Sequence, residues 1–217
     1  MELQRRLAGR VVRDGLCADV RLVAAADIAY VERAPAWAAS TARAAAVLLS
    51  YPELEVVEQH VIEAPVTFPY VPGLLSFREI PVLATVFEKL SHQPDLLLVD
   101  GQGIAHPRRF GLASHVGLLA GVPTIGCAKS RLCGEADEPG PERGATSELA
   151  DEGDVIGLAV RTKSRVKPLY VSVGNMISLA DATEWVLRLT PTHRLPEPIR
   201  IADHLSKGHQ WTARVGR

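Results

Sequence analysis

Asp95-Leu96-Leu97-Leu98-Val99-Asp100-Gly101-Gln102-Gly103 is the stretch on which the fold turns. Its apolar residues run without a polar interruption. The run is too short for an ordinary helix and lacks the alternation of a half-solvated strand. It predicts a strand at a sheet centre, covered on both faces, and Gly101-Gln102-Gly103 closes it with a turn. Downstream, residues 111–120 read as a helix and 122–128 as another short strand. Strand, helix, strand is a parallel βαβ unit.

Upstream of this unit, residues 22–30 form an apolar strand interrupted once, by Asp27. Residues 43–51 and 54–64 read as two more strands, the latter carrying Val57, Val61 and Ile62 between polar neighbours. Short connections let the three pair as an antiparallel meander. Residues 1–16 predict an amphipathic helix, 65–73 a Pro/Gly-punctuated loop, and 76–90 a helix with Leu83, Val86, Phe87 and Leu90 on its core side. Later, 155–160 and 169–173 read as strands and 178–189 as a helix. The acidic stretch 134–154 reads as a surface loop or insertion, and 190–217 as a C-terminal tail. The expectation is one α/β domain over residues 1–217, its mixed β-sheet flanked by helices on both faces.

The chain has 217 residues, 47% hydrophobic and 23% charged, the balance of a globular protein. That excludes a disordered tail, a collagen-like repeat and a disulfide scaffold. No apolar run reaches the roughly 18 residues of a membrane-spanning helix. The N-terminal Met1-Glu2-Leu3-Gln4-Arg5-Arg6 leads into no secretory core, so a cytoplasmic protein without a membrane partner is expected. Cys17, Cys127 and Cys133 are odd in number and read as reduced thiols. The net charge of −1 hides an asymmetry: residues 134–154 carry eight acids and one base, leaving 23 bases against 17 acids elsewhere. The body is therefore +6, compatible with a polyanionic partner.

Two acids stand in apolar surroundings. Asp27 shares a strand face with Val23, Ala25 and Ala29, and Asp100 ends the central strand, where ligands of open α/β sheets gather. A buried ion pair for Asp27 and an Asx turn for Asp100 are the structural alternatives. Together the two acids favour a metal site, since Mg²⁺ and Mn²⁺ prefer hard carboxylate oxygens. Ser76-Phe77-Arg78-Glu79 fits a capping box, although Pro81 argues for a later helix start and leaves Glu79 available. Ser178 and Asp181 fit a second capping box with no further role. Basic groups cluster on the same loops: His106, Arg108 and Arg109 after Asp100, then Lys129 and Arg131. Arg161, Lys163, Arg165 and Lys167 alternate, so on a strand they share one face, either solvated or tracking phosphates. Pro69-Tyr70-Val71-Pro72-Gly73 is a stiff loop presenting an aromatic, either packed or inserted between bases.

Four blocks carry a resemblance. Residues 69–79, PYVPGLLSFRE, closely resemble the PYxPGxLSFRE signature of endonuclease V. Residues 100–115, DGQGIAHPRRFGLASH, are similar to that family's DGxGxxHPRxxGxASH, and Gly126-Cys127-Ala128-Lys129-Ser130-Arg131-Leu132 to its GxAKxxL. Leu195-Pro196-Glu197-Pro198-Ile199-Arg200 resembles its RLPEPTR, with Val71, Cys127 and Ile199 as mild departures. The order of elements likewise resembles an RNase H-like fold. The resemblance implies a DNA repair endonuclease that recognises deoxyinosine and other deaminated bases. It implies hydrolysis of the second phosphodiester 3′ to the lesion, leaving 3′-hydroxyl and 5′-phosphate ends, with Mg²⁺ or Mn²⁺. It makes Asp27, Glu79 and Asp100 metal ligands, with Asp203 a more variable fourth, and puts Lys129 beside the scissile phosphate. Tyr70, flanked by Pro69, Val71, Pro72 and Gly73, becomes a strand-separating wedge. Leu75, Gly101, Gly126 and Leu132 line the flipped base, and Arg78, Gly103 and His106 are also expected at the DNA. A monomer is expected. Rival readings are an inosine-specific endoribonuclease and a non-catalytic lesion-binding protein, the latter disfavoured because Asp27, Glu79 and Asp100 are all present. A phosphotransferase related to actin-type ATPases would need a glycine-rich loop after the first strand, where Asp27-Ile28-Ala29-Tyr30 stands.

Overall fold

The computed structural model describes residues 1–15, 19–31 and 40–212; Cys17 and residues 213–217 of the expected tail lie outside them. In chain order the elements are α1 (Glu2–Ala8), β1 (Leu22–Tyr30), β2 (Ser40–Ser50), β3 (Val56–Val66), α2 (Leu75–Phe87), β4 (Leu96–Val99), α3 (Leu112–Ala120), β5 (Thr124–Ala128), β6 (Thr146–Asp151), β7 (Asp154–Val160), β8 (Leu169–Asn175), α4 (Leu179–Arg188) and α5 (Glu197–Ser206). The strands form one eight-stranded sheet ordered β3-β2-β1-β4-β5-β8-β7-β6. β1 and β4, and β4 and β5, pair parallel, while the other pairs are antiparallel.

The apolar run of β4 sits at the centre because both its faces are covered. Leu96 and Leu98 enter a core with Ala182 and Val186 of α4 and Ile199, Ile201 and Leu205 of α5. Leu97 and Val99 enter a second core with Val82, Leu83 and Val86 of α2 and Ala113 and Val116 of α3. A strand with water on one side would need polar residues at alternate positions, and each buried leucine contributes about 2 kcal/mol over an exposed one. The neighbouring β1 obeys the same parity, with Val23 and Ala25 on the α4/α5 side and Ala24 and Ala26 on the α2/α3 side.

Several expectations are corrected. The segment 134–154, expected as a surface loop or insertion, contains β6 and the turn into β7, a hairpin at the sheet edge. Its turn residues Glu152 and Gly153 both have positive φ (53° and 87°), the conformation of a tight two-residue hairpin. Only Leu149 of β6 is fully buried, so the acids lie on an edge strand, where charge discourages unwanted pairing. The segment 190–217, expected as a tail, contains α5, whose Pro198, Ile201, Ala202 and Leu205 form a helical apolar stripe. Residues 161–167 are no strand, since β7 ends at Val160. Arg161 turns inward to Glu138 and to the carbonyls of Pro139 and Gly140, so the shared basic face does not exist. The amphipathic helix expected over 1–16 stops at Ala8. The first capping box is absent: α2 starts after Leu74, and Ser76 is buried beside His115 Nδ1 at 3.2 Å. The second is present, with Ser178 Oγ accepting from the Asp181 backbone N–H at 3.0 Å.

Candidate active site

The parallel register of β1 and β4 pairs Ala25 with Leu98 and Ala26 with Val99. One further step brings Asp27 beside Asp100. By parity both acids point to the side covered by α5, the side of Val23, Ala25, Leu96 and Leu98. From α5, Asp203 completes a cluster in which one oxygen of each of Asp27, Asp100 and Asp203 lies within 4.8 Å of the others.

The cluster is held from several directions. Ser206 Oγ, one helical turn beyond Asp203, donates to Asp27 Oδ2 at 2.5 Å. Lys129 Nζ, just past β5, lies 2.5 Å from Asp100 Oδ2 and 2.9 Å from Asp203 Oδ1. Lys207 Nζ donates to the other Asp203 oxygen at 2.6 Å. Burial lifts the Asp27 carboxyl to about 6, and the charges of Asp100 and Asp203 add to this while Ser206 opposes it. Glu79 approaches from α2. Burial raises its carboxyl to about 8, and Asp27 and Asp100 push the same way against Arg78 and a hydrogen bond with Tyr30. Burial works to lower the Lys129 ammonium, yet Asp100 and Asp203 outweigh it and hold it above its ordinary value.

Three converging carboxylates, already drawing in the Lys129 ammonium group, form a hard-oxygen donor set suited to a small divalent cation. Asp27, Asp100 and Asp203 fit such an ion directly. Glu79 stands next to them without joining the tightest grouping among the described residues.

Of the residues expected at the nucleic acid, Tyr70 is 53% exposed. Leu75, Leu132, Pro69 and Pro72 are also exposed, and Val71, Gly73 and Gly101 are partly so. Gly103 and Gly126 are buried and are glycine for packing: a Cβ would collide with Val173 O at Gly103 and approach Gly101 O to 2.8 Å at Gly126. At Gly101 a Cβ would meet only Leu112, at an ordinary 3.4 Å. Arg78 and His106 are buried, at 7% and 4% exposure. Arg78 donates to Ser40 Oγ at 2.7 Å, to Tyr30 Oη at 3.0 Å and to the Phe68 carbonyl, so its guanidinium is directed into the protein.

Sequence reasoning missed Ser206, Lys207, Tyr30, Gln102 and Arg194. Asp203, Ser206 and Lys207 stand at i, i+3 and i+4, a spacing that α5 turns into one face. Gln102 Nε2 donates to Ser130 O at 2.9 Å, and Arg194 Nη2 to Lys129 O at 3.0 Å and Pro168 O at 2.8 Å, so the Lys129 loop is fastened from both sides.

Residues 5–204 match the family model described as Endonuclease V. An endonuclease V of Gloeobacter violaceus is 49% identical over 207 residues, covering 95% of this chain and 83% of that protein. The crystal structure of a Streptomyces avermitilis endonuclease V superposes with a TM-score of 0.87 at 43% identity, covering 95% of this chain and 89% of the other. That of a Ciona intestinalis endonuclease V, in complex with a 24mer DNA containing an inosine followed by a ribo-adenosine, gives 0.81 at 30% identity, covering 95% and 94%. With the RNase H-like mixed sheet that these structures share and the acidic cluster at the ends of its central strands, the chain belongs to the endonuclease V family of nucleases.

Proposed function

We propose that this enzyme incises inosine-containing DNA by hydrolysing the second phosphodiester 3′ to the lesion, leaving 3′-hydroxyl and 5′-phosphate ends. The observation that carries the reading is the convergence of Asp27, Asp100 and Asp203 beside Lys129 at the end of the central strands. The Ciona relative's complex with inosine-containing DNA supports the substrate. Asp27, Asp100 and Asp203, with Glu79 alongside, hold Mg²⁺, for which Mn²⁺ substitutes. Such an ion supplies Lewis acidity toward the phosphate and makes water a better nucleophile at neutral pH.

The chain's own groups do the rest. Ser206 orients the Asp27 carboxylate, and Lys207 orients Asp203. The Lys129 ammonium, presented by its fastened loop, faces the scissile phosphate and balances its charge. Tyr70 enters the duplex from the stiff loop formed with Pro69, Val71, Pro72 and Gly73. The displaced hypoxanthine is received among Leu75, Gly101, Gly126 and Leu132. Leaving the stack costs a few kcal/mol, less for a mispaired base, so the opening itself selects lesions. The enzyme acts as a monomer in the cytoplasm, with residues 1–217 as one catalytic unit.

The test is cleavage of matched inosine DNA and inosine RNA strands, with Mg²⁺ and with chelator, and mapping of both product ends. The expected result is metal-dependent cutting of DNA at the phosphodiester on the 3′ side of the inosine's 3′ neighbour, with 3′-hydroxyl and 5′-phosphate ends. Cutting at another bond, or undiminished cutting in chelator, would overturn the reading.

A further inference from the structure

The loop that carries Tyr70 is fastened at both ends by side chains of the protein body, of which Gln4 and Arg78 are buried and Arg108 half-buried. At its far end the Gly73 carbonyl accepts from Arg108 Nη2 at 2.5 Å and from Gln4 Nε2 at 3.1 Å. Gln4 is the one fully buried residue of α1, at 1% exposure. Its amide is fully used: Nε2 also donates to the Phe110 carbonyl at 2.8 Å, and Oε1 accepts from Arg108 Nε. One side chain therefore joins α1, the Tyr70 loop and the loop between β4 and α3. Gly73 has φ of 76°, and a Cβ there would overlap the Arg108 guanidinium, so the contact requires glycine. At the near end the Phe68 carbonyl accepts from Arg78, which lies over the Tyr30 ring at 5.0 Å from its centroid and bonds Ser40 and Tyr30.

A glutamine is a costly choice for the buried face of a short helix unless its amide is fully paired. An apolar residue would seat α1 as well. The amide instead finds partners 69 and 106 residues away. Arg78 is buried with donors directed to Ser40, Tyr30 and the Phe68 carbonyl, and the half-buried Arg108 directs Nε and Nη2 inward to Gln4 and the Gly73 carbonyl. What remains free between the fastened ends is the exposed Tyr70, stiffened by Pro69 and Pro72.

We infer that Gln4, Arg108 and Arg78 are positioning residues that pre-organise the Tyr70 loop, and that α1 thereby belongs to the lesion-opening machinery. The inference rests on the proposed wedge role of Tyr70. Held rigid before DNA arrives, the loop enters the duplex without losing further conformational freedom.

The test compares Gln4→Leu with Tyr70→Ala on duplex and single-stranded inosine DNA. Gln4→Leu is expected to slow duplex cleavage about tenfold, while single-strand cleavage stays within about twofold, because misplacing a remote group penalises only the step that uses it. The slope of affinity against salt should be unchanged, since no phosphate contact is lost. 2-Aminopurine beside the inosine should brighten less than with the parent protein. Adding Gln4→Leu to Tyr70→Ala should cost little more, since both act through the same ring. Arg108→Ala carries the same comparison should Gln4→Leu fold poorly. Equal losses on both substrates, additive losses, or an unaffected Gln4→Leu beside a duplex-selective Tyr70→Ala would overturn the clamp alone. A Tyr70→Ala protein with no duplex selectivity would overturn the wedge and the clamp with it.

Discussion

Replacing Asp27 by Asn should stabilise the metal-free protein while abolishing cleavage. Burial, joined by the charges of Asp100 and Asp203 and partly offset by Ser206, raises this carboxyl from 3.8 to about 6. The folded state therefore binds the proton more tightly than the unfolded chain. The stability this contributes is complete below 3.8 and is lost as pH rises through about 6. At neutral pH the ionised Asp27 thus costs the fold about 3 kcal/mol. Asn keeps the volume and an acceptor for Ser206 but never ionises. Allowing for its less favourable NH₂ among the remaining acids, the net gain is about 1–3 kcal/mol. For a chain of 217 residues that raises Tm by about 3–10 °C. Calorimetry in chelator at pH 7.5 and again near pH 4.5 reads the effect. The variant should melt higher at pH 7.5, with the gap narrowing at the acid end. Added Mg²⁺ should raise the Tm of the parent protein more than that of the variant. A variant that melts lower at pH 7.5 in chelator, or a gap independent of pH, would refute the claim that Asp27 is held ionised at a cost.

Tyr70→Ala should leave Tm nearly unchanged, because the ring is 53% exposed, and should impair duplex cleavage more than single-strand cleavage. A large drop in Tm with equal losses on both would make Tyr70 a packing residue. Arg194→Ala removes donors to the carbonyls of Lys129, Lys167 and Pro168. It should lower kcat about tenfold with little change in DNA affinity, since only the presentation of Lys129 is disturbed; an affinity loss matching the rate loss would point to a direct DNA contact instead. Glu148→Gln with Glu152→Gln on the edge hairpin should leave DNA binding as strong or stronger and still salt-dependent, because the +6 body carries it. Weaker binding in filter or anisotropy titrations would place that hairpin at the DNA.

The central sheet was legible because β4 leaves little choice: Leu96 to Val99 has no polar residue to turn toward water. The same strand parity made Asp27 conspicuous among Val23, Ala25 and Ala29. The hairpin of β6 and β7 was hidden by its own charges, since an edge strand with one buried leucine looks like a solvated loop in composition. Helix α5 was hidden by the prolines, histidines and arginines around it, so Asp203 was found by resemblance to a family motif and not from periodicity. Arg78 and His106 show a different limit. Residue type marks an arginine as able to bind a phosphate, but only packing decides whether its donors face DNA or backbone carbonyls. Gln4, a polar residue on a short amphipathic helix, carries no local signal, because its partners come from segments far along the chain.

The most direct examination of the metal-centred site is anomalous scattering from crystals soaked in Mn²⁺. The peak should lie among the carboxylates of Asp27, Asp100 and Asp203, and it should be lost in Asp100→Asn crystals that diffract equally well. No peak at saturating Mn²⁺, or a peak only on the acidic edge hairpin, would contradict the assignment of these acids as the ion's ligands.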